Sequence, residues 1–231
     1  MASRPSVLII GASRGLGLAM AEEFLSREWR VLGTVRKAAG TRLHRLRDRF
    51  SDKLKIETLD ITEIRQIAGL RQRLRNSHFD LLFVNAGILT DTEHTVAKAT
   101  TEGFNKLMVT NALGPLRALE EFQDLVPDNG TIAVMSSGLA SITENVAGVW
   151  DGYSASKVAL NMLVRGFASR HSERKRAVIL MAPGWVRTDM GGPEADLDVR
   201  QSVPRVVDTV TSQIGKPGLR FLDYTGRTVA W

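Results

Sequence analysis

Short apolar runs recur along this 231-residue chain, separated by longer amphipathic stretches. Residues 7–10, 30–35, 54–59, 81–84, 131–135, 177–181 and 220–222 are apolar with little polar interruption and read as strands. Segments 16–28, 40–50, 63–75, 101–125, 153–173 and 199–214 carry apolar positions at helical spacing and read as helices. Near-continuous apolar strands that alternate with helices predict a parallel sheet covered on both faces. Right-handed crossovers make this a doubly wound, Rossmann-type α/β sheet of about seven strands, with ligands bound beyond the carboxyl ends of the strands. No internal repeat, low-complexity tract or linker interrupts the pattern, so residues 1–231 read as one domain.

Composition narrows the picture. Apolar content of 43% and charged content of 24% are ordinary for a globular chain. No stretch approaches the roughly 18 uninterrupted apolar residues a membrane span needs. Residues 1–5 run straight into the first strand and leave no room for a signal peptide, so a cytoplasmic protein is the expectation. The absence of cysteine excludes a disulfide framework, thiolate metal sites and a Cys nucleophile. A net charge of +6 raises nucleic acid as a partner. The basic residues are dispersed, however, at helical spacing among apolar ones, as in Leu43-His44-Arg45-Leu46-Arg47, and read as solvated helix faces.

The first strand ends in Gly11-Ala12-Ser13-Arg14-Gly15-Leu16-Gly17, and a helix follows at once. Small residues let the backbone turn sharply beside a pyrophosphate, and a helix N-terminus favours its charge. The spacing is Gly-x-x-x-Gly-x-Gly rather than the common Gly-x-Gly-x-x-Gly, so its position carries the inference. Arg14 lies in that turn, and Arg36 follows the second strand, where an NAD site places a carboxylate on the ribose. Two guanidinium groups suit a 2′-phosphate instead, so the expected cofactor is NADP(H). Asp60, with Ile61 after the third strand, accepts from the adenine amino group or caps the helix starting near Glu63. Asn85-Ala86-Gly87 ends the fourth strand with small residues suited to a close cofactor, and Asn85 can brace the turn.

Tyr153-Ser154-Ala155-Ser156-Lys157 opens a helical apolar run, which sets a phenol and an ammonium one turn apart. An isolated pair of this kind is most often a surface accident. A cation beside a phenol lowers its pKa from about 10, which predicts a usable acid or base at Tyr153. Asn111 is a mediocre helix former in an apolar helical pattern, whereas Asn105 on the same helix reads as solvated.

Taken together, the glycine turn, Asn85-Ala86-Gly87 and the Tyr-Lys pair resemble the short-chain dehydrogenase/reductase family over nearly the whole chain. The segments Pro183-Gly184-Trp185-Val186-Arg187-Thr188-Asp189-Met190-Gly191-Gly192 and Asp223-Tyr224-Thr225-Gly226-Arg227-Thr228-Val229-Ala230-Trp231 are most similar to its carbonyl-reductase-like subgroup, which includes C-factor-like proteins. The resemblance implies a catalytic set of Asn111, Ser137, Tyr153 and Lys157, with Ser136 the alternative if the Met135-Ser136-Ser137-Gly138 register slips. It implies that Ser137 binds a carbonyl oxygen, Tyr153 moves the proton, Lys157 also holds the nicotinamide ribose, and Asn111 holds a water. It further implies cofactor contacts at Gly11, Ser13, Arg14, Gly15, Leu16, Gly17, Arg36, Asp60, Ile61, Asn85, Ala86, Gly87, Tyr153 and Lys157. Pro183, Gly184, Val186 and Thr188 would border the nicotinamide, and residues 189–204 would form a mobile substrate loop.

Between Ser137 and Tyr153, residues 143–150 form a loop longer than the family's usual connection. The expectation is an NADPH-dependent reductase of small aldehydes or ketones, forming homodimers or homotetramers through helices 101–125 and 153–173. A regulatory NADP-binding protein would need only the glycine turn and Arg36. A nucleotide-sugar epimerase would need a longer C-terminal region than the 43 residues after Thr188.

Overall fold

The computed structural model describes residues 4–90, 95–146 and 148–231. Residues 1–3, part of the leader expectation, and Ala147 of the 143–150 loop lie outside the described residues. Seven parallel strands form one sheet: β1 (Ser6–Ile10), β2 (Arg30–Val35), β3 (Leu54–Thr58), β4 (Leu81–Val84), β5 (Thr131–Met135), β6 (Ala177–Ala182) and β7 (Gly218–Asp223). Their order is β3-β2-β1-β4-β5-β6-β7. The predicted boundaries hold to within two residues at every strand end.

The helices are α1 (Gly15–Ser26), α2 (Arg42–Arg47), α3 (Ile64–Arg73), α4 (Thr101–Met108), α5 (Gly114–Phe122), α6 (Asp151–Arg170) and α7 (Val199–Thr211). Two cores explain the apolar strands. Leu8 and Ile10 join one cluster with Phe122, Leu160 and Phe167; Val7 and Ile9 join the other with Phe24, Leu43 and Val207. Alternate residues of one strand therefore face opposite helical layers, and each fully buried Leu or Ile contributes about 1.5–3 kcal/mol.

Two differences from the sequence pattern bear on function. The predicted helix 101–125 is broken by a π-helical turn, Val109–Leu113, between α4 and α5. Pro115 explains it: proline has no N–H to give the Asn111 carbonyl four residues earlier, and its ring crowds that carbonyl. Such π-turns gather at functional sites. The predicted loop 189–204 is also shorter, because Val199 already opens α7 through a capping box of Asp198 and Gln201.

Chain order reverses at β1 and β4: β1 leads to β2 on one side and lies beside β4 on the other. A crevice opens at the carboxyl ends of strands flanking such a switch point. The glycine turn after β1 and Asn85-Ala86-Gly87 after β4 both face it.

Candidate active site

The glycine turn is fixed by close packing. Gly11 has φ +92°, and a Cβ there would lie 2.9 Å from Ala86. A Cβ on Gly17 would lie 2.0 Å from the Gly11 carbonyl oxygen and 2.5 Å from Asn85 Nδ2. Asn85 Nδ2 donates to that same carbonyl at 2.8 Å, so Asn85 braces the glycine turn from across the crevice. Gly15 has φ +57°, open to glycine without strain. Arg14 precedes α1 without forming a side-chain cap, which leaves first-turn N–H groups for a phosphate. These residues fit a dinucleotide: the backbone is bare where a pyrophosphate would lie.

Around the rim, Arg36 is exposed at the end of β2 and has no ion-pair partner among the described residues. Arg14 differs: its guanidinium pairs with Asp189 at 3.1 Å, bridging the glycine turn to the loop after β6. The Asp60 carboxylate accepts from Thr62 N (2.9 Å) and Oγ1 (2.7 Å). It holds this local turn rather than capping α3, whose N-cap, Glu63, makes no side-chain cap bond. Ile61 is buried beside it, its carbonyl against Gly114.

Beyond β5, the two serines separate. Ser136 is buried and donates to Asn161 Oδ1 at 2.6 Å. The Ser137 hydroxyl stands close enough to the Tyr153 phenol to favour its ionised form, and it accepts from Leu139 N. The long connection brings the two side chains to the same part of the crevice. Its outer part is tied to the tail: Thr143 N and Oγ1 donate to the Trp231 carbonyl, and Glu144 takes two bonds from Arg227. Trp150 then enters α6 with φ 60°, an uncommon conformation for so large a residue.

Lys157 is buried, and its Nζ donates to the Met135 carbonyl at 2.9 Å, with the Tyr153 ring centroid 5.7 Å away. A Cβ on Gly87 would lie 3.5 Å from that Nζ and 3.3 Å from Asn111 Oδ1, so β4, the π-turn and α6 meet here. Asn111 is wholly buried, with its amide spent on Ile88 N, Ile88 O and the Ser156 hydroxyl. Asn105 is exposed, as expected of a solvated position. Ser156 also donates to the Tyr153 carbonyl, so it joins Asn111 to the Tyr153 turn. Sequence reasoning passed over Ser156; a fully buried hydroxyl between Tyr153 and Lys157 was the signal for it. Pro115, four residues after Asn111, was the corresponding signal for the π-turn.

Past β6, Thr188 Oγ1 accepts from Gly191 N at 3.1 Å, and its methyl lies 4.0 Å from where a Gly15 Cβ would stand. The Pro183 carbonyl accepts from Ser202 in α7, Gly184 takes φ +81°, and Val186 is buried. Ser13, Leu16 and Ala86 are half-buried along the same crevice.

The electrostatics correct one expectation. The Tyr153 phenol is not lowered by Lys157; burial pushes it up to about 12, with the Ser137 hydrogen bond opposing. The ammonium is turned to the Met135 carbonyl, and burial depresses Lys157 itself to about 8. The linkage has a definite sign. Between pH 8 and 10 the unfolded chain holds a proton on Lys157 that the folded chain has released, so stability rises with pH. Above pH 10 the unfolded Tyr153 loses a proton that the folded one keeps, and stability falls. From pH 7.5 to 9.5 the melting temperature of the wild type should rise by about 5 °C relative to Lys157→Met. Parallel melting curves for the two proteins would contradict this.

A doubly wound sheet, a bare glycine turn at its switch point and a Ser-Tyr-Lys cluster with its lysine buried define a dinucleotide-binding oxidoreductase architecture. The chain belongs to the short chain dehydrogenase family, whose profile matches residues 5–198. A Burkholderia multivorans protein described as a short-chain dehydrogenase/reductase, solved with bound NADP, is 51% identical (TM-score 0.96; 99% of this chain, 100% of that one). A carbonyl reductase from Pseudomonas aeruginosa PAO1 in complex with NADP is 36% identical, with a TM-score of 0.91 over 99% of this chain and 100% of that one. The C-signal protein of Myxococcus xanthus is 32% identical over 160 residues, 66% of this chain and 92% of its own.

Proposed function

We propose that this chain is an NADPH-dependent reductase of small aldehydes or ketones. The observation that carries the reading is the half-buried Ser137 hydroxyl set against the Tyr153 phenol, with the buried Lys157 one turn away at the edge of the cofactor crevice. The glycine turn would hold the pyrophosphate, Arg36 and Arg14 the 2′-phosphate, and Asp60 with Ile61 would border the adenine. Thr188 and the Val186 backbone would orient the nicotinamide; the NADP-bound relatives support NADP(H) as the cofactor. The cofactor, when bound, supplies hydride.

The chain's own residues do the rest. Ser137 and Tyr153 hydroxyls converge on the carbonyl oxygen, where negative charge develops. A phenol held protonated by burial keeps its proton until that oxygen needs it, which suits a general acid in the reducing direction. Lys157, depressed toward neutrality, is placed to pass a proton to Tyr153 and to bind ribose hydroxyls. The Asn111 main-chain carbonyl, to which Pro115 gives no N–H, would hold the water that resupplies it, since the side-chain amide is already taken.

A screen of small carbonyls that follows NADPH absorbance, with NADH in parallel, tests the reading. Consumption with at least one carbonyl, faster with NADPH, is expected. No turnover on any compound despite tight NADPH binding would replace it with the regulatory reading.

Pairing of chains through α4–α5 and α6 belongs to the same proposal. Leu113, Met162 and Leu163 leave apolar surface on these helices, with Met162 66% exposed. Sedimentation at micromolar concentration should give a dimer or tetramer; a clean monomer would exclude it.

A further inference from the structure

We propose that the chain carries a second small-molecule site, for a flat ring bearing a carboxylate or phosphate, at the amino-terminal edge of the sheet. A cavity of about 620 Å³ opens there, bordered by the end of α6, the lead into β6, the start of β7 and Trp231. That volume lies within the roughly 300–1,000 Å³ of ligand pockets. The cofactor crevice lies at the opposite, carboxyl ends of the strands, so the two sites do not overlap.

Charge selects the ligand. No Asp or Glu lines the cavity, whereas Arg165, Arg174, Lys175 and Arg176 all do. Arg174 is compensated by Asp124 at 2.8 Å and Asp128 at 3.2 Å. The other three cations have no ion-pair partner among the described residues. Arg176 is only 3% exposed, and it donates to neutral acceptors alone: the Gln123 and Val126 carbonyls and Gln123 Oε1. Burial accordingly lowers its pKa below the ordinary guanidinium value.

Asp124, Asp128 and Glu173 favour its charge only from beyond ion-pair distance, and a buried cation so weakly compensated is costly. The carbonyl end of the 3₁₀ turn Gln123–Leu125 accounts for the bonds Arg176 makes, since helix C-termini attract cations. It does not account for Arg165 and Lys175, which border the same hollow from other segments. An anion in the cavity would complement all three.

The wall selects the rest of the ligand. The Arg165 guanidinium lies 5.3 Å over the Trp231 ring, which in turn packs on Phe221 at 5.9 Å. Val178, Leu219 and Pro217 add apolar surface. A guanidinium and an indole presented together favour a planar, apolar body.

The test is calorimetric titration of the NADPH-saturated protein, so that the cofactor crevice is filled, with four probes. AMP and benzoate combine ring and charge, inorganic phosphate is charge alone, and benzamide is a neutral ring. One-to-one binding of AMP or benzoate is expected, with phosphate and benzamide weaker by about tenfold or more. Arg165 and Lys175 are exposed, so Arg165→Gln with Lys175→Gln should keep the wild-type melting temperature and turnover while weakening the bound probe by about tenfold or more. Affinity unchanged in that double variant would overturn the site. So would benzamide bound as tightly as benzoate, or no probe bound below about 10 mM. Phosphate bound as tightly as AMP would overturn the planar part of the proposal.

Discussion

Tyr153→Phe should leave a folded protein that binds NADPH with near wild-type affinity and turns over carbonyl substrates about a hundred- to ten-thousand-fold more slowly. The phenyl ring fills the same buried space, so packing is kept. The variant loses one half-buried hydroxyl beside Ser137, a polar contact worth at most about 1 kcal/mol and too small to unfold a chain with two extended cores. Cofactor contacts at the glycine turn, Arg36 and Lys157 are untouched. The loss therefore falls on the proton, with Ser137 alone left to meet the developing charge. Fluorescence titration with NADPH and a progress curve on the best substrate of the screen measure the two halves. Wild-type turnover in the variant would remove Tyr153 from the chemistry, and lost cofactor binding would recast it as a structural residue.

The parts of this molecule that were legible in the sequence are those set by burial along a single element. The five inner strands, β1, β2, β4, β5 and β6, are apolar on both faces because helices cover both, so the pattern alone marked them; the edge strands β3 and β7 mix in Lys55, Glu57 and Arg220. The glycine turn was legible because Gly11 and Gly17 stand where no side chain fits.

What the sequence left hidden depends on which partner a side chain finds. Lys157 lies one turn from Tyr153, yet its ammonium is spent on the Met135 carbonyl, and burial reverses the expected direction of the phenol's pKa. The choice between Ser136 and Ser137 turned on a distant residue, Asn161, that occupies the first hydroxyl. The long loop before α6 read only as an extended connection, because its anchors, Arg227 and Trp231, come some 80 residues later.

Arg36→Asp should carry the second large effect: kcat/KM for NADPH falls by about a hundredfold, while that for NADH holds or improves. The two arginines near the expected 2′-phosphate are not equivalent. Arg14 is already paired with Asp189, so part of what it would offer a phosphate is offset by the carboxylate it must leave. Arg36 gives up no ion pair, because none holds it among the described residues. A hydrogen bond to a charged group contributes about 1.5–3 kcal/mol, and each 1.4 kcal/mol is a factor of ten. An aspartate at this position also repels a phosphate and accepts from a bare ribose hydroxyl, so the two cofactors move in opposite directions. Steady-state kinetics with both cofactors at one fixed carbonyl concentration read the ratio directly. A ratio unchanged from wild type would shift the selectivity to Arg14, and the Asp189 carboxylate would then compete with the 2′-phosphate for it.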